Sequence, residues 1–296
     1  MNSGKRDRGL KINAEQAIKL ERMRDRLREL GSVAVAFSAG ADSMFVLKIA
    51  LDTLGPDKVI AVTGRSDSLA AAEFADACRL AAAVGAEHVI IDTAEFANPN
   101  YTSNPTDRCY HCKSTLYDEM AGLCEQRGIA WIVNGTNADD LSDWRPGLQA
   151  ASERRVASPA ADAGMTKRDI RELSAQFGLP TYDKPASPCL SSRIPYGQEV
   201  TPTKLRMVEA GERFLKETLG VRECRVRHYG TFARIELPLD VVESLNDPAE
   251  AERIEAHFRE LGFERVEIDP RGFRSGSLND VIVMGRRQGA DDPNGA

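Results

Sequence analysis

The chain has 296 residues, 42% hydrophobic and 28% charged, a composition typical of a globular protein long enough for two domains. Its formal net charge of -6 argues against an extensive nucleic-acid surface, and the absence of any run of about 18 apolar residues predicts no membrane span. The charged N-terminus has no hydrophobic segment behind it, so we predict no signal peptide and a cytoplasmic location. Six cysteines in such a chain favour unbridged thiols, a metal site or sulfur chemistry over a disulfide framework.

The first predicted element is a helix that follows a polar, basic stretch, residues 1–11, which we expect to be disordered. Asn13 is a candidate N-cap, and Gly31 is a candidate helix end. Between them, Leu20 and Leu27 belong to an apolar stripe at helical spacing. The helix therefore has an apolar face to bury against the rest of the chain.

A strand, a small-residue turn and a second helix come next. Val33 to Phe37 is a run of small and β-branched apolar residues, which predicts a strand buried on both faces. The turn that follows aims backbone N–H groups and a helix dipole at one point, and Ser38 and Ser43 add hydroxyl donors. This pattern predicts an anion site for nucleotide phosphates. A Walker P-loop is disfavoured because the first lysine is Lys48, a full turn inside the helix; a turn that binds no ligand is the alternative.

Three more strands are predicted, at Lys58 to Thr63, Glu87 to Asp92 and Ala130 to Asn134, with helices between them. This alternation predicts a parallel sheet covered by helices, with ligands at the carboxyl ends of the strands. Thr63 lies at such an end and is a candidate to border the adenosine, although a plain connecting turn is the alternative. The polar and acidic stretch Gly135 to Asp140 is a candidate for ribose, Mg²⁺ or an attacking group, or else a turn rich in Asn and Asp.

A pair of cysteines follows the long irregular stretch from Ala94 to Asp107. Cys109 and Cys112 open a predicted helix that reaches to about Arg127. A single C-x-x-C pattern occurs in zinc sites, redox pairs and iron–sulfur sites. Surface thiols without a ligand are the remaining interpretation.

A third cysteine, Cys189, lies in a Pro-Cys-Leu-Ser-Ser-Arg loop at a predicted domain junction. Arg193 is close enough in the loop to hold this thiol as a thiolate. Together with the cysteine pair, Cys189 would supply three thiolates, which leave one iron of a four-iron cluster open to an exogenous ligand such as sulfide.

Beyond this junction the pattern is helix, two strands, helix and strand, which predicts a small α+β domain. We therefore predict a phosphate-loop domain over 1–185, an α+β domain over 186–275, and a strand remnant with a mobile tail over 276–296. Arg225 and Arg227 alternate along one strand, so both point to one face and suit a phosphate; a solvated basic face is the alternative.

The turn from Ser38 to Ser43 resembles the Ser-Gly-Gly-x-Asp-Ser loop of the PP-loop ATP pyrophosphatases. Ala39 stands where that superfamily usually has glycine, and a Cβ there narrows the approach of the backbone to the phosphates. Nearly the whole chain is similar to one family within it, the LarE sulfurtransferases. The motifs that carry this similarity are Arg108-Cys109-Tyr110-His111-Cys112-Lys113, Asn134 to Asp140, Cys189 to Gly197 and Arg225 to Leu237.

The resemblance implies an α/β fold whose parallel-sheet nucleotide-binding domain, of the adenine nucleotide alpha-hydrolase-like type, precedes the small α+β domain. It implies that ATP adenylates a carboxylate of pyridinium-3,5-dicarboxylate mononucleotide, releasing pyrophosphate, and that a sulfur nucleophile then displaces AMP during synthesis of a nickel-pincer nucleotide cofactor. The implied cofactors are ATP, Mg²⁺ and a [4Fe-4S] cluster. The implied partners are a small-molecule nucleotide substrate and a sulfide source, with neither membrane nor nucleic acid, in a homo-oligomer.

The same resemblance implies roles for particular residues. Asp42 and Cys189 would be catalytic, while the Mg²⁺ ligands stay unassigned. The implied ATP-binding residues are Ser38, Ala39, Gly40, Ala41, Asp42, Ser43, Thr63, Gly135 and Thr136; those for the substrate phosphate are Arg193, Arg225 and Arg227; and those for the cluster are Cys109, Cys112 and Cys189.

Two versions of the sulfur step are open within this family. In some members the cysteine that matches Cys189 gives up its own sulfur and becomes dehydroalanine, whereas others use three cysteines to hold the cluster. Because all three are present here, we favour the cluster version. Two other functions remain as alternatives. The chain could be a tRNA thiolase or amide ligase of the same superfamily, or a protein that binds ATP without turnover, and Ala39 is the one feature that favours the latter.

Overall fold

The computed structural model describes residues 12–142, 145–245 and 248–274, which form two compact units. The first unit comprises Met1–Arg65, Ala71–Thr93 and Cys109–Ser187, and the second comprises Ser66–Ala70, Ala94–Arg108 and Pro188–Ala296, each as far as the chain is described. The domain boundary at 185/186 stays a prediction. The expected disorder of residues 1–11 and the expected strand remnant and tail over 276–296 lie outside the described residues.

The first unit is built on a four-stranded parallel sheet with the order β3-β2-β1-β4. Its strands are β1 (Val33–Ala36), β2 (Val59–Arg65), β3 (Glu87–Asp92) and β4 (Trp131–Val133). The helices of the whole described chain are α1 (Ala14–Leu30), α2 (Ala41–Leu54), α3 (Ala71–Ala83), α4 (Pro99–Thr102), α5 (Arg108–Arg127), α6 (Pro146–Glu153), α7 (Pro159–Asp162), α8 (Lys167–Gln176), α9 (Pro202–Leu219), α10 (Leu239–Ser244) and α11 (Pro248–Glu260). The predicted α/β fold with a parallel sheet is confirmed.

Strand β1 is buried on both faces, as its apolar run predicts. Val33 and Val35 belong to one apolar cluster, which contains Phe45 of α2. Ala34 points the other way, into a second cluster with Met120 of α5. Since side chains alternate along a strand, one short run of small residues serves both cores. This packing fixes the carboxyl end of β1 and the start of α2.

The second unit contains a three-stranded sheet with the order β5-β6-β7. Strands β5 (Arg225–Tyr229) and β6 (Phe232–Glu236) are antiparallel, with Arg225 opposite Glu236, and β7 (Arg265–Ile268) runs parallel to β6. Helix α9 packs on β5 through small and apolar residues: a Cβ added at Gly211 would lie 3.4 Å from Val226. The predicted α+β pattern is confirmed for the elements that the structure describes.

Asp169 links the start of α8 to α1 and makes stability depend on pH. Its carboxylate accepts from the Thr166 backbone N–H (3.1 Å) and hydroxyl (2.7 Å), in a capping box, and from Lys19 Nζ (2.9 Å). Burial raises the pKa of Asp169, but these donors, led by Lys19, outweigh it and bring the pKa to about 2. Because the folded pKa lies below the ordinary 3.8, this stabilisation is present above that value and is lost as the pH falls towards about 2.

Replacing Asp169 with asparagine should therefore lower the free energy of unfolding at pH 7 by about 1–2 kcal/mol, because the cap and the ion pair are both weakened. The difference from the wild type should shrink at about pH 2, since the wild-type carboxyl is then half protonated as well. Urea unfolding of both proteins at pH 7 and at about pH 2 measures this difference in the free energy of unfolding. Asp57→Asn, at an exposed position, is the control; an equal loss at both pH values would contradict the assignment.

Candidate functional site

A cavity of about 280 Å³ lies in the first unit, beyond the carboxyl ends of β1 and β4. This is the edge of a parallel sheet at which ligands bind. Its walls come from the turn after β1 with the start of α2, from α5, from residues 134–140, and from residues 145–148. The lining residues are Ala36, Ser38, Gly40, Asp42, Ser43, Lys113, Tyr117, Asn134, Gly135, Thr136, Asp140, Arg145, Gly147 and Leu148.

The N-terminus of α2 opens onto this cavity. Its N-cap is Gly40, which provides no side-chain hydrogen bond to the first turn of the helix. The Ser38 backbone N–H donates to Ser43 Oγ (3.3 Å), the two hydroxyl oxygens are 3.2 Å apart, and the Ser43 hydroxyl donates to the Gly40 carbonyl (3.2 Å). The helix dipole and two hydroxyls thus converge where the sequence predicts an anion site.

Ala39 adopts a left-handed backbone conformation, with φ = 56°. Its side chain is fully buried in the apolar cluster that holds α2, and it does not line the cavity. A glycine is the usual choice at positive φ because a Cβ costs about 1–2 kcal/mol there. The sequence led us to expect that this methyl group narrows the approach to the phosphates. In the structure it packs in the core instead, and its cost is in the backbone conformation.

Replacing Ala39 with glycine should leave the free energy of unfolding within about 1 kcal/mol of the wild type. Relief of the left-handed backbone is worth about 1–2 kcal/mol, but the variant loses a buried methyl group worth about 0.8 kcal/mol and gains unfolded-chain entropy worth about 0.4–1 kcal/mol. ATP-dependent activity should be retained. Urea unfolding and steady-state assays measure both.

Ala39→Val provides the contrast at the same position, because a β-branched residue at positive φ should lower stability by about 2 kcal/mol or more. Loss of ATP-dependent activity in the glycine variant, with stability unchanged, would contradict the placement of the methyl group in the core.

Gly135 allows the segment after β4 to approach α2 closely. A Cβ on this residue would lie 2.8 Å from the Ser43 backbone nitrogen and 3.0 Å from its Cα, which is too near for any larger residue without a shift of backbone. The adjacent Thr136 backbone N–H donates to Asn134 Oδ1 (3.0 Å). Gly135 and Thr136 thus both line the cavity, and Gly135 also brings its two walls together.

Thr63 and Ala41, also predicted for ATP, do not line the cavity. The buried Thr63 hydroxyl donates to the Phe37 carbonyl (2.8 Å) and lies 2.8 Å from His88 Nε2. Thr63 therefore braces the end of β1 from the neighbouring strand. The structure brings Ser38, Gly40, Asp42, Ser43, Gly135 and Thr136 together.

Two carboxylates line the cavity, those of Asp42 and Asp140. Burial, and then the negative charge of Asp140, raise the pKa of Asp42 above its ordinary value, although a hydrogen bond from Asn137 Nδ2 (3.4 Å) opposes this. Asp140 lies 2.9 Å from Lys167 Nζ and 3.0 Å from Arg145 Nη2. Carboxylate oxygens close to phosphates are the ligands that Mg²⁺ uses.

Lys113 and Arg145 bring positive charge to the cavity, although neither was among the predicted site residues. The Lys113 ammonium lies 6.0 Å from the centre of the Tyr117 ring. Gly147 leaves room for this lysine, since a Cβ there would lie 3.2 Å from Lys113 Cγ. Helical spacing was an available signal for Lys113, which is four residues before Tyr117 on α5. The cations absent from the phosphate loop thus come from other segments.

All six cysteines lie in the described chain, and each is outside any disulfide. Cys124 and Cys224 are buried, and burial raises the pKa of the Cys224 thiol to about 12, which makes it unreactive. Cys109 is exposed and Cys112 is half-buried; they are three residues apart in the first turn of α5 and hence on one face. Cys189, in the second unit, is exposed.

These residues fit an iron–sulfur cluster in the chemistry of their donors, because accessible thiols are its usual ligands. Within residues 12–142, 145–245 and 248–274, however, no group of three or more His, Cys, Asp or Glu side chains is assembled to hold a metal ion. The types of ligand that these cysteines offer are thus compatible with a cluster.

Arg193 anchors the loop that carries Cys189. Its guanidinium is 2% exposed and pairs with Glu212 through both oxygens, at 2.7 and 3.0 Å. It also donates to the carbonyls of Pro188 (2.8 Å) and Cys189 (3.3 Å). Burial by itself lowers the pKa of Arg193, but the charge of Glu212 and the hydrogen bonds to its carboxylate raise it above the ordinary value. Arg193 thus orients the loop that carries Cys189.

Other side chains of the second unit hold the same loop from further sides. The Arg108 guanidinium, 2% exposed, donates to the Ser191 carbonyl (2.9 Å), and the Tyr101 hydroxyl lies 2.7 Å from Ser191 Oγ. Asn104, fully buried at φ = 57°, donates to the Pro195 carbonyl (2.7 Å). The long stretch from Ala94 to Asp107 therefore includes residues that support the Cys189 loop.

Arg225 and Arg227, predicted to hold a phosphate, are both more than nine-tenths buried. Arg227 pairs with Glu236 through both carboxylate oxygens, at 3.0 Å each, and donates to the Ser192 carbonyl (2.7 Å). Arg225 Nη1 donates to the Cys224 carbonyl (2.8 Å). Burial, followed by the charges of Arg193 and Arg227, lowers the pKa of Arg225 below its ordinary value, although Glu212 opposes this. Arg225 thus lies buried within the field of two other guanidinium groups.

None of the helices that the structure describes has the length and apolar character required to cross a membrane.

No family model matches the chain. It is 43% identical over 265 residues to a protein of Synechocystis sp. that is named as uncharacterized, covering 90% of this chain and 98% of that one. It is 38% identical over 261 residues to the pyridinium-3,5-bisthiocarboxylic acid mononucleotide synthase of Lactiplantibacillus plantarum, covering 87% of this chain and 92% of that one. A 28% identity over 218 residues relates it to the tRNA-specific 2-thiouridylase MnmA of Xanthobacter autotrophicus, over 61% of this chain and 56% of that one. Because the second similarity spans nearly the full length of both proteins, this chain belongs to the LarE family of enzymes, within the PP-loop superfamily.

Proposed function

We propose that this enzyme uses ATP to activate a carboxylate of pyridinium-3,5-dicarboxylate mononucleotide and then transfers sulfur to it, as a step in the synthesis of a nickel-pincer nucleotide cofactor. The observation that carries the proposal is the cavity of the first unit, where a helix N-terminus, two serine hydroxyls, two carboxylates and two cations line one space of about 280 Å³. The full-length similarity to a pyridinium-3,5-bisthiocarboxylic acid mononucleotide synthase supports this substrate.

The first step is adenylation. A carboxylate oxygen of the substrate attacks the α-phosphorus of ATP, the bond between that phosphorus and the bridging oxygen to the β-phosphate breaks, and pyrophosphate leaves with the electron pair. The N-terminus of α2 with Ser38 and Ser43 binds the phosphates, and Lys113 and Arg145 offset the charge that develops on them. Asp42 and Asp140 would hold the Mg²⁺ that accompanies ATP, which would offset charge on the phosphates.

The second step is sulfur transfer. A sulfur nucleophile adds to the acyl carbon of the adenylate, and the C–O bond to AMP breaks, so that AMP leaves with the electron pair. The second unit binds the nucleotide substrate, and Arg225 binds its phosphate. Arg227 adds positive charge near the phosphate and donates a hydrogen bond to the Ser192 carbonyl. Arg193 also supplies positive charge and holds the Cys189 loop in place.

Cys109, Cys112 and Cys189 would hold a [4Fe-4S] cluster, which when bound supplies a sulfide as the nucleophile. The accessibility of these thiols supports this role, because buried cysteines such as Cys124 are not available as ligands. In the alternative version, the Cys189 thiolate attacks the acyl carbon; loss of its Cα proton and cleavage of its Cβ–S bond then leave the sulfur on the substrate and dehydroalanine in the chain.

Anaerobic purification followed by turnover tests both steps. We expect about four iron and four sulfide ions per chain, release of pyrophosphate that requires both ATP and the nucleotide substrate, and an unchanged mass for the peptide that contains Cys189. Conversion of Cys189 to dehydroalanine would replace the cluster version by the sacrificial one. ATP binding without release of pyrophosphate would contradict the adenylation step.

A further inference from the structure

A short segment follows β7 and lies near the end of the described chain. The Asp269 backbone N–H donates to the Ile235 carbonyl (2.8 Å), and the Phe273 backbone N–H donates to the Leu237 carbonyl (2.7 Å). These bonds attach both ends of the segment to β6 or to the residue that follows it. The segment from Asp269 to Phe273 therefore has a defined position on the sheet.

Gly272 makes this close attachment possible. Its backbone is left-handed, with φ = 67°, and a Cβ at this position would lie 2.9 Å from Leu239 side-chain carbons and 3.0 Å from the Leu237 carbonyl oxygen. Arg271 adds a further constraint, because its guanidinium bonds both Asp269 carboxylate oxygens, at 3.2 and 3.0 Å. The turn before Phe273 is thus held from two sides, which fixes the direction in which the Phe273 ring leaves the backbone.

The Phe273 ring lies over the guanidinium of Arg225, with 4.8 Å between the ring centre and Arg225 Cζ. Arg225 is 7% exposed, whereas Phe273 is only half-buried. A hydrogen bond from Nη1 to the Cys224 carbonyl (2.8 Å) helps to hold the guanidinium, and the ring covers one of its faces. An aromatic face attracts a cation and also restricts the plane in which the guanidinium lies.

We propose that Phe273 is a positioning residue for the substrate phosphate: its ring holds the guanidinium of Arg225 in the orientation that binds the phosphate of the nucleotide. The inference rests on the proposed function, in which Arg225 binds that phosphate. The contact of 4.8 Å lets the ring restrict the plane of the guanidinium without neutralising the charge that an anion requires.

The test compares Phe273→Leu with the wild type in the full-length enzyme. Leucine retains an apolar side chain but removes the aromatic face, so the KM for the nucleotide substrate should rise about 3- to 30-fold, the range that corresponds to a cation–π contact. The KM for ATP and the kcat should stay within about twofold of the wild type. Phe273→Tyr, which keeps the ring, should restore the KM for the nucleotide.

A matched control exists in the same unit. Arg265 Cζ lies 4.7 Å from the centre of the Phe232 ring, a similar stacking away from the proposed phosphate site, so Phe232→Leu should not change the KM for the nucleotide. Equal KM values for Phe273→Leu and the wild type would overturn the inference, as would a fall in kcat that Phe273→Tyr does not restore. If Arg225→Gln also leaves that KM unchanged, the proposed role of Arg225 fails as well; if it raises the KM, only the role of Phe273 fails.

Discussion

Replacing Cys189 with serine is expected to stop thiocarboxylate formation, by about 10³-fold or more, while ATP-dependent release of pyrophosphate continues. Serine neither ionises near neutral pH nor serves as a soft ligand for iron, so the sulfur step fails in both of its versions. Adenylation relies on the cavity of the first unit, which Cys189 does not line. Pyrophosphate release and product formation, measured in the same reaction, separate the two steps.

Cys109→Ser distinguishes the two versions of the sulfur step. If the cluster carries the sulfide, this variant should also lose thiocarboxylate formation; if Cys189 is consumed, it should retain a single turnover. Cys78→Ser, at a half-buried position on α3, is the control for the loss of a thiol as such. Full thiocarboxylate formation by Cys189→Ser would contradict any role of this residue in sulfur transfer.

Replacing Asp42 with asparagine is expected to slow adenylation by about 10²- to 10³-fold and at the same time to raise the Tm at pH 7. Adenylation should slow because the variant removes one carboxylate of the proposed Mg²⁺ site. The Tm should rise because burial and the charge of Asp140 raise the pKa of Asp42. A carboxyl with a raised folded pKa contributes full stability below its ordinary value of 3.8 and loses it as the pH rises through the folded pKa, so the charge present at pH 7 is a cost.

The gain in Tm should therefore be present at pH 7 and absent at about pH 3, where the wild-type carboxyl is protonated. Differential scanning calorimetry at the two pH values and a pyrophosphate assay with varied Mg²⁺ measure both effects. Asp52→Asn, on the same helix but paired with Lys48 near its other end, should change neither property appreciably. A lower Tm for Asp42→Asn at pH 7 would mean that the carboxylate stabilises the fold.

Local sequence patterns correctly predicted several helices and strands of the first unit. The buried run before Ser38 and the helical spacing after Ser43 predicted β1 and α2, because alternation in a strand and a period of 3.6 in a helix are written in neighbouring residues. The capping residue Asn13 likewise predicted where α1 begins, since a cap bonds to a backbone N–H only three residues away.

Local sequence patterns did not predict which residues the charged side chains pair with. Arg193 and Arg227 were predicted to bind substrate phosphate, yet each pairs with a carboxylate, Glu212 or Glu236, that no local pattern connects with it. Ion pairs form between residues that the fold brings together, and they leave no periodic trace in the sequence. Whether an arginine binds a ligand or supports a loop is therefore a tertiary question.

Patterns among neighbouring residues thus predicted the strand, turn and helix of the phosphate loop, the parallel sheet that carries it, and the three cysteines that are candidate ligands. Only the tertiary structure showed that Lys113 and Arg145 reach the cavity, that Gly135 lets its walls meet, and that the methyl group of Ala39 packs into the core. This difference follows from the distance along the chain over which interactions act. Hydrophobic periodicity and helix caps involve neighbouring residues, whereas the charge and shape of a site depend on segments that are far apart in the chain.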